Sequence, residues 1–136
     1  PLRKLQRIPE WAWDFEQLTS LDLSANMLET IPPAIERLRH LRLLNLHWNR
    51  LRSLPDQLGK LTRLEVMNVS RNKLASLPAD AVFSRLKRLR TLDCSTNMLT
   101  TIPDETGRLP SLENLNLDGN QLFSLPETLG GGGGGE

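Results

Sequence analysis

Side chains suited to covalent or acid–base chemistry are scarce in this 136-residue chain: two histidines, His40 and His47, and a single cysteine, Cys94. Nucleophilic catalysis needs a nucleophile beside a base that a third group orients. Metal binding needs His, Cys or carboxylates at short, fixed spacings. Neither arrangement is present, and no glycine-rich phosphate loop appears. A recurring Asp/Asn set, Asp22, Asn45, Asn68, Asp93 and Asn116, invites comparison with a metal or acid–base site. Strands about 5 Å apart would spread these groups along a sheet, so a structural role is expected. No catalytic residue, metal or cofactor is therefore expected. What remains is noncovalent recognition, for which Trp48, His47, Arg71, Leu43 and Val66 stand out, with Asn45 and Asn68 among them. A tryptophan flanked by apolar and arginine side chains has the composition of a binding hot spot.

These residues acquire a common surface only through a repeat. Prolines fall at Pro9, Pro32, Pro55, Pro78, Pro103 and Pro126, 23 residues apart except for one step of 25. Asn26, Asn49, Asn72, Asn97 and Asn120 each precede a proline by six residues. Each closes the pattern leucine, two residues, leucine, one residue, leucine, two residues, asparagine, with Cys94 and a few other apolar residues substituting. Self-similarity at such a period is the mark of a stacked array, in which each unit buries its apolar face only against its neighbours.

The pattern resembles that of the leucine-rich-repeat family. The 23-residue step, with Leu-Pro or Ile-Pro after the asparagine, is similar to the intracellular subclass that includes plant Ras-group-related repeat proteins and animal Ras-pathway scaffolds. The likeness covers residues 2 to 129. It implies an α/β solenoid: a right-handed coil with a concave parallel sheet and convex short helices or 3-10 turns, about five full repeats plus a partial first one. It also implies a non-catalytic scaffold or adaptor that binds a protein through the concave face, with small GTPases and phosphatases among the family's partners.

Physical chemistry gives each position of the repeat a task. In Leu21-Asp22-Leu23 the leucines share one face at period two and Asp22 takes the other. The asparagine turns inward where the chain leaves the strand, and its amide can satisfy backbone groups of neighbouring coils. Asn26, Asn49, Asn72, Asn97 and Asn120 should form a ladder. The proline ends any strand, and Leu54, Leu58 and Leu61 suit a short helix or 3-10 turn on the outer side. Two extra residues in the third unit predict a longer outer helix with Phe83 beneath it. Thr106-Gly107, standing where other units have Ile35 or Leu58, predicts a looser fourth unit. Cys94 occupies a buried strand position and acts as a small hydrophobe.

The units run 18–40, 41–63, 64–88, 89–111 and 112–129. Residues 1–17 read as a partial repeat without its strand, with Leu5, Ile8, Ala12 and Phe15 in the apolar slots and Arg3 where asparagine is expected. Residues 130–136, six glycines and Glu136, read as a linker or a placeholder in an excerpt of a longer protein, a natural glycine tract being the alternative. In register, Trp11 and Trp13 straddle Ala12 and should both point outward, either against an N-terminal cap or toward another chain. Arg37, Lys60, Arg85 and Arg108 recur near the ends of outer segments, and Asp56, Asp80, Asp104, Glu105 and Glu127 near their starts, as helix dipoles favour. Arg85, Lys87, Arg88 and Arg90 thicken one flank into a second candidate contact surface.

A formal net charge of +1 gives no general attraction for polyanions, so polar recognition must be local and nucleic acid is not expected except within a large ribonucleoprotein. No apolar run approaches the roughly 20 residues of a membrane span, and no signal segment is visible. One cysteine precludes an intrachain disulfide and favours a reducing, intracellular and cytoplasmic setting. Two other functions fit the same repeat: a structural subunit of a large ribosome-related or ciliary assembly, or the targeting region of an enzyme such as a ubiquitin ligase or kinase.

Overall fold

A computed structural model describes residues 4–129; Arg3 and the glycine-rich residues 130–136 lie outside the described residues. Five three-residue strands, β1 (Ser20–Asp22), β2 (Leu43–Asn45), β3 (Val66–Asn68), β4 (Thr91–Asp93) and β5 (Asn114–Asn116), form one parallel sheet in chain order. Their registers step with the repeat: Ser20 faces Leu43, Leu43 faces Val66, Val66 faces Thr91 across the longer unit, and Thr91 faces Asn114. Consecutive parallel pairing is the solenoid arrangement.

The outer segments are 3-10 turns because the apolar residues there recur every third position. Ile35, Leu38 and Leu41 are linked by i to i+3 bonds, Leu38 N–H to the Ile35 carbonyl at 3.0 Å and Leu41 N–H to the Leu38 carbonyl at 3.1 Å, and all three are fully buried. Leu58, Leu61 and Leu64 repeat this. In a 3-10 helix, residues three apart eclipse, so one period of three puts every leucine inward. The preceding proline starts the turn: the carbonyls of Pro9, Pro32, Pro55, Pro103 and Pro126 each accept the N–H three residues on, at 3.0–3.1 Å. Proline's missing N–H costs nothing at that position.

In the third coil Ala79 takes over this role, and the two extra residues convert the 3-10 turn into an α-turn, α1 (Asp80–Phe83). The expected longer helix is therefore a wider one, four residues against the five of the Pro33–Arg37 turn. Phe83 is fully buried beneath it, as its spacing suggested. In the fourth coil the 3-10 turn Asp104–Arg108 persists, but its closing bond from Leu109 N–H to the Thr106 carbonyl is stretched to 3.5 Å. Thr106 is 1% exposed, and among the described residues its hydroxyl has no partner.

The asparagine ladder is complete. Asn49 Oδ1 accepts Leu28 N–H at 3.0 Å, Asn72 that of Leu51 at 2.9 Å, Asn97 that of Leu74 at 3.0 Å and Asn120 that of Leu99 at 3.0 Å. The Nδ2 of each of these four donates both to its own coil and to the coil before, and that of Asn26 to its own coil. The carbonyls of Leu46, Val69 and Cys94 consequently each accept two amides. Backbone groups that leave the strand inside the core are thereby satisfied without a longer sheet.

The first coil departs from expectation. Trp13 is 1% exposed and belongs to the core, whereas Trp11 is 63% exposed. Phe15, expected in an apolar slot, stands outside and meets Trp11 edge-on at 6.0 Å. The reason is geometric: Glu10–Asp14 is a 3-10 turn, so residues 11 and 13 lie about 120° apart rather than on one face. Ala12 is too small for the slot that Ile35 and Leu58 fill, and the Trp13 indole fills the volume instead.

Candidate functional site

The columns of the repeat predict which side chains share the open face of the sheet, and Leu43, Val66, Asn45 and Asn68 do meet there as opposed pairs on β2 and β3, half-buried. The Asp/Asn column has a local duty. Asp22, Asn45, Asn68, Asp93 and Asn116 each accept the N–H two residues on through Oδ1, at 2.9–3.0 Å. This Asx turn bends the chain out of the strand, which is why aspartate and asparagine serve equally. Hydrogen bonds from the Ser24 side chain and N–H hold the Asp22 carboxyl below its ordinary value. Among the described residues no cluster of His, Cys, Asp and Glu is arranged to hold a metal.

One step further, Ala25, Trp48, Arg71, Thr96 and Gly119 all sit at left-handed φ, between 54° and 71°. The N–H groups of the first four are held: Ala25 by the His47 carbonyl, Trp48 by Ser70, Arg71 by Ser95 and Thr96 by Asp118, at 2.8–3.0 Å. Trp48 and Arg71 therefore stand on a clamped rim three residues past the ends of β2 and β3, and not on the sheet face itself, where the columns had placed them. Trp48 is 54% exposed. A bulky side chain at this φ is an outlier that costs roughly 1–3 kcal/mol.

His47 is fixed beside the indole, its ring edge-on at 6.4 Å. Its Nδ1 lies 2.7 Å from Ser70 Oγ, and that hydroxyl donates to Asn68 Oδ1 at 2.6 Å. With the hydroxyl proton so used, Nδ1–H is the donor to Ser70. Ser70 is buried.

Beyond Trp48 the rim opens into a recess of about 410 Å³ lined by Lys4, Asn26, Met27, Trp48, Asn49, Arg50, Arg71, Asn72, Lys73 and Thr96. Lys4 Nζ lies over the Trp48 ring, 5.3 Å from its centre. The sequence reading missed Lys4, Arg50 and Lys73. The signal was there in the column two residues beyond Trp48: Lys4, Met27, Arg50, Lys73, Met98 and Gln121 share one register position.

The second candidate surface is separate. Arg85, Lys87 and Arg88 are exposed beyond α1 on the outer flank, while Arg90 pairs with Glu113 at 3.5 Å. Arg37 pairs with Glu16 at 3.1 Å and Arg108 with Glu105 at 3.7 Å; such exposed pairs stabilise by at most about 1 kcal/mol.

A family profile described as a leucine-rich repeat region matches residues 5–130. The chain belongs to the leucine-rich-repeat family. A solved leucine-rich-repeat protein from Leptospira interrogans is similar, at 35% identity and a TM-score of 0.86 over 93% of this chain. This chain spans 32% of that protein's length. No curated protein matches the sequence. No helix among the described residues is long and apolar enough to cross a membrane.

Proposed function

We propose that this leucine-rich-repeat chain is a non-catalytic interaction module, a scaffold or adaptor that grips a partner protein with the Trp48 rim and the adjoining sheet face. Leucine-rich repeats generally mediate protein–protein contact, and the observation that carries the reading here is Trp48. Its indole is 54% exposed and is held at φ 62°, where the last coil has Gly119. The fold gains little from a tryptophan at that position. His47, Arg71, Leu43 and Val66 supply polar and apolar contacts around it, with Asn45 and Asn68 presenting the remainder of their amides. Rigid, clamped positions lower the ordering cost of association.

Trp48→Gly tests this directly. Removing left-handed strain gains about 1–2 kcal/mol, and glycine's backbone entropy returns about 0.5–1 kcal/mol of it, so the variant should unfold at the same denaturant concentration as the parent or slightly above. Proteins retained by the immobilised parent from its source lysate, identified by mass spectrometry, should be lost from Trp48→Gly and kept by Trp11→Ala. Equal retention by Trp48→Gly overturns the proposal.

A further inference from the structure

We propose that the recess beside Trp48 is a docking groove for an acidic peptide segment of a partner protein, one that places an apolar side chain against the indole and carboxylates on either side. The proposal rests on the interaction reading above and specifies the partner's chemistry. Four cations, Lys4, Arg50, Arg71 and Lys73, line the groove, and no carboxylate does. Among the described residues none of the four takes part in an ion pair; Arg7, Arg52, Lys60, Arg63, Arg85, Lys87 and Arg88 are likewise unpaired, and what sets the four apart is that they line one recess together without a carboxylate. Asn49 and Asn72, the buried amides of the lining, are spent on the backbone ladder. The groove thus offers positive charge whose counter-charge the fold does not supply.

Its positions are built to stay in place. Met27 N–H is held by the Leu5 carbonyl at 2.7 Å, Arg50 N–H by Leu28 at 2.8 Å and Lys73 N–H by Leu51 at 2.8 Å. Coils stack about 5 Å apart, so from Lys4 to Lys73 the stripe runs three steps, roughly 15 Å. An extended peptide covers that distance in about five residues. Such a segment would set one carboxylate near Lys4, an apolar side chain on Trp48 and Met27, and a second carboxylate near Arg71 and Lys73. Arginine can hold a carboxylate with two parallel bonds, and methionine adapts to varied apolar shapes. The Met27 and Trp48 apolar floor and the short reach of the charge favour a peptide over a nucleic acid strand, whose binding draws on many phosphate contacts.

The test is fluorescence anisotropy at low salt with four labelled probes: an acidic peptide of two Glu-Asp pairs flanking a leucine, its Lys-Arg counterpart, a neutral counterpart, and a short oligothymidylate. The acidic peptide alone should bind. Arg50→Glu combined with Lys73→Glu should weaken it at least tenfold, while Arg85→Glu with Arg88→Glu, an equal charge change on the outer flank, should leave it within twofold. Both double variants alter exposed side chains, and circular dichroism confirms their fold. Binding of the oligothymidylate, equal loss in the flank variant, or no binding of the acidic peptide overturns the proposal. The two readings fail separately: if Trp48→Gly loses the lysate partners but Arg50→Glu with Lys73→Glu retains them, the acidic segment is refuted and the interaction module stands.

Discussion

Replacing Asn72 by alanine is the sharpest probe of how the coils are held together, because its bonds differ in what they leave behind. Asn72 Oδ1 accepts Leu51 N–H at 2.9 Å, and among the described residues that donor has no other partner. Its Nδ2 donates to the carbonyls of Leu46 and Val69, both at 3.0 Å, and of Ser70 at 3.1 Å, but those oxygens also hold Asn49, Asn97 and the Trp48 N–H. The substitution therefore orphans one buried N–H, at about 1–3 kcal/mol, and removes second bonds from three carbonyls that keep a first, together about 1 kcal/mol. A total near 3 kcal/mol corresponds to a fall of roughly 12 °C in Tm for a chain of this length. Asn26→Ala, at a half-buried position where water reaches the Leu5 N–H it uncovers, should cost about 1 kcal/mol. Asn72→Asp adds a sign. One carboxylate oxygen keeps Leu51 N–H, but the other faces three carbonyl oxygens, so the charged form is disfavoured and the folded pKa rises above the unfolded value of about 3.9. The aspartate variant should then be most stable below about pH 4 and lose stability as pH rises through the folded value. Urea unfolding of the three variants between pH 4 and 8 measures both effects. A central alanine no costlier than the terminal one, or an aspartate variant whose deficit relative to the parent does not change with pH, would refute the sharing of carbonyls between coils.

The remaining expectations concern single buried groups. Thr106→Val removes a buried hydroxyl that has no partner among the described residues and keeps its shape, so thermal unfolding should show a gain of about 1 kcal/mol; destabilisation would mean the hydroxyl is satisfied. Cys94 is fully buried and its thiol is pushed far above the ordinary range by that burial, so iodoacetamide at pH 8 should leave the native chain unlabelled by mass spectrometry and modify it only in denaturant. Trp13→Ala opens a large cavity at about 3–5 kcal/mol, whereas Trp11→Ala should stay within about 0.5 kcal/mol; comparable losses in denaturant unfolding would overturn the packing described for the first coil.

The sequence made the solenoid legible because one physical constraint repeats: every coil must bury the same face against the next. A step of 23 residues thus fixes both strand register and the identity of the core, and Leu44, Leu46, Phe83 and Cys94 are buried where that register puts them. Legibility failed where the local period changes. Alternation by two, applied to Trp11 and Trp13, describes a strand, but the segment turns with period three. It failed again at the rim, since reading Trp48 and Arg71 as extensions of the strands overlooks the Asx turn that intervenes. Lys4, Arg50 and Lys73 escaped because each belongs to a different coil and only the stacking of Arg50 on Lys73, with Lys4 one coil earlier in register than Met27, brings them together.

That rim is also where fold and recognition come apart. The turn after each strand is imposed by bonds that do not consult the rim side chain: an Oδ1 three residues back accepts the N–H of the residue before the rim position, a carbonyl of the next coil accepts the rim N–H itself, and alanine, tryptophan, arginine and threonine alike are held at left-handed φ. Glycine would be favoured at every one of these positions on backbone grounds, and only the last coil has it. A scaffold so determined by its leucines, asparagines and prolines leaves the rim column and the column two residues on without a structural assignment. Side chains there can vary from coil to coil with little consequence for stacking, which is how one repeat architecture can present unrelated binding surfaces. By the same reasoning the repeat identifies the family, whereas the residues that depart from it, Trp48 with its ring of cations foremost, carry whatever is particular to this chain.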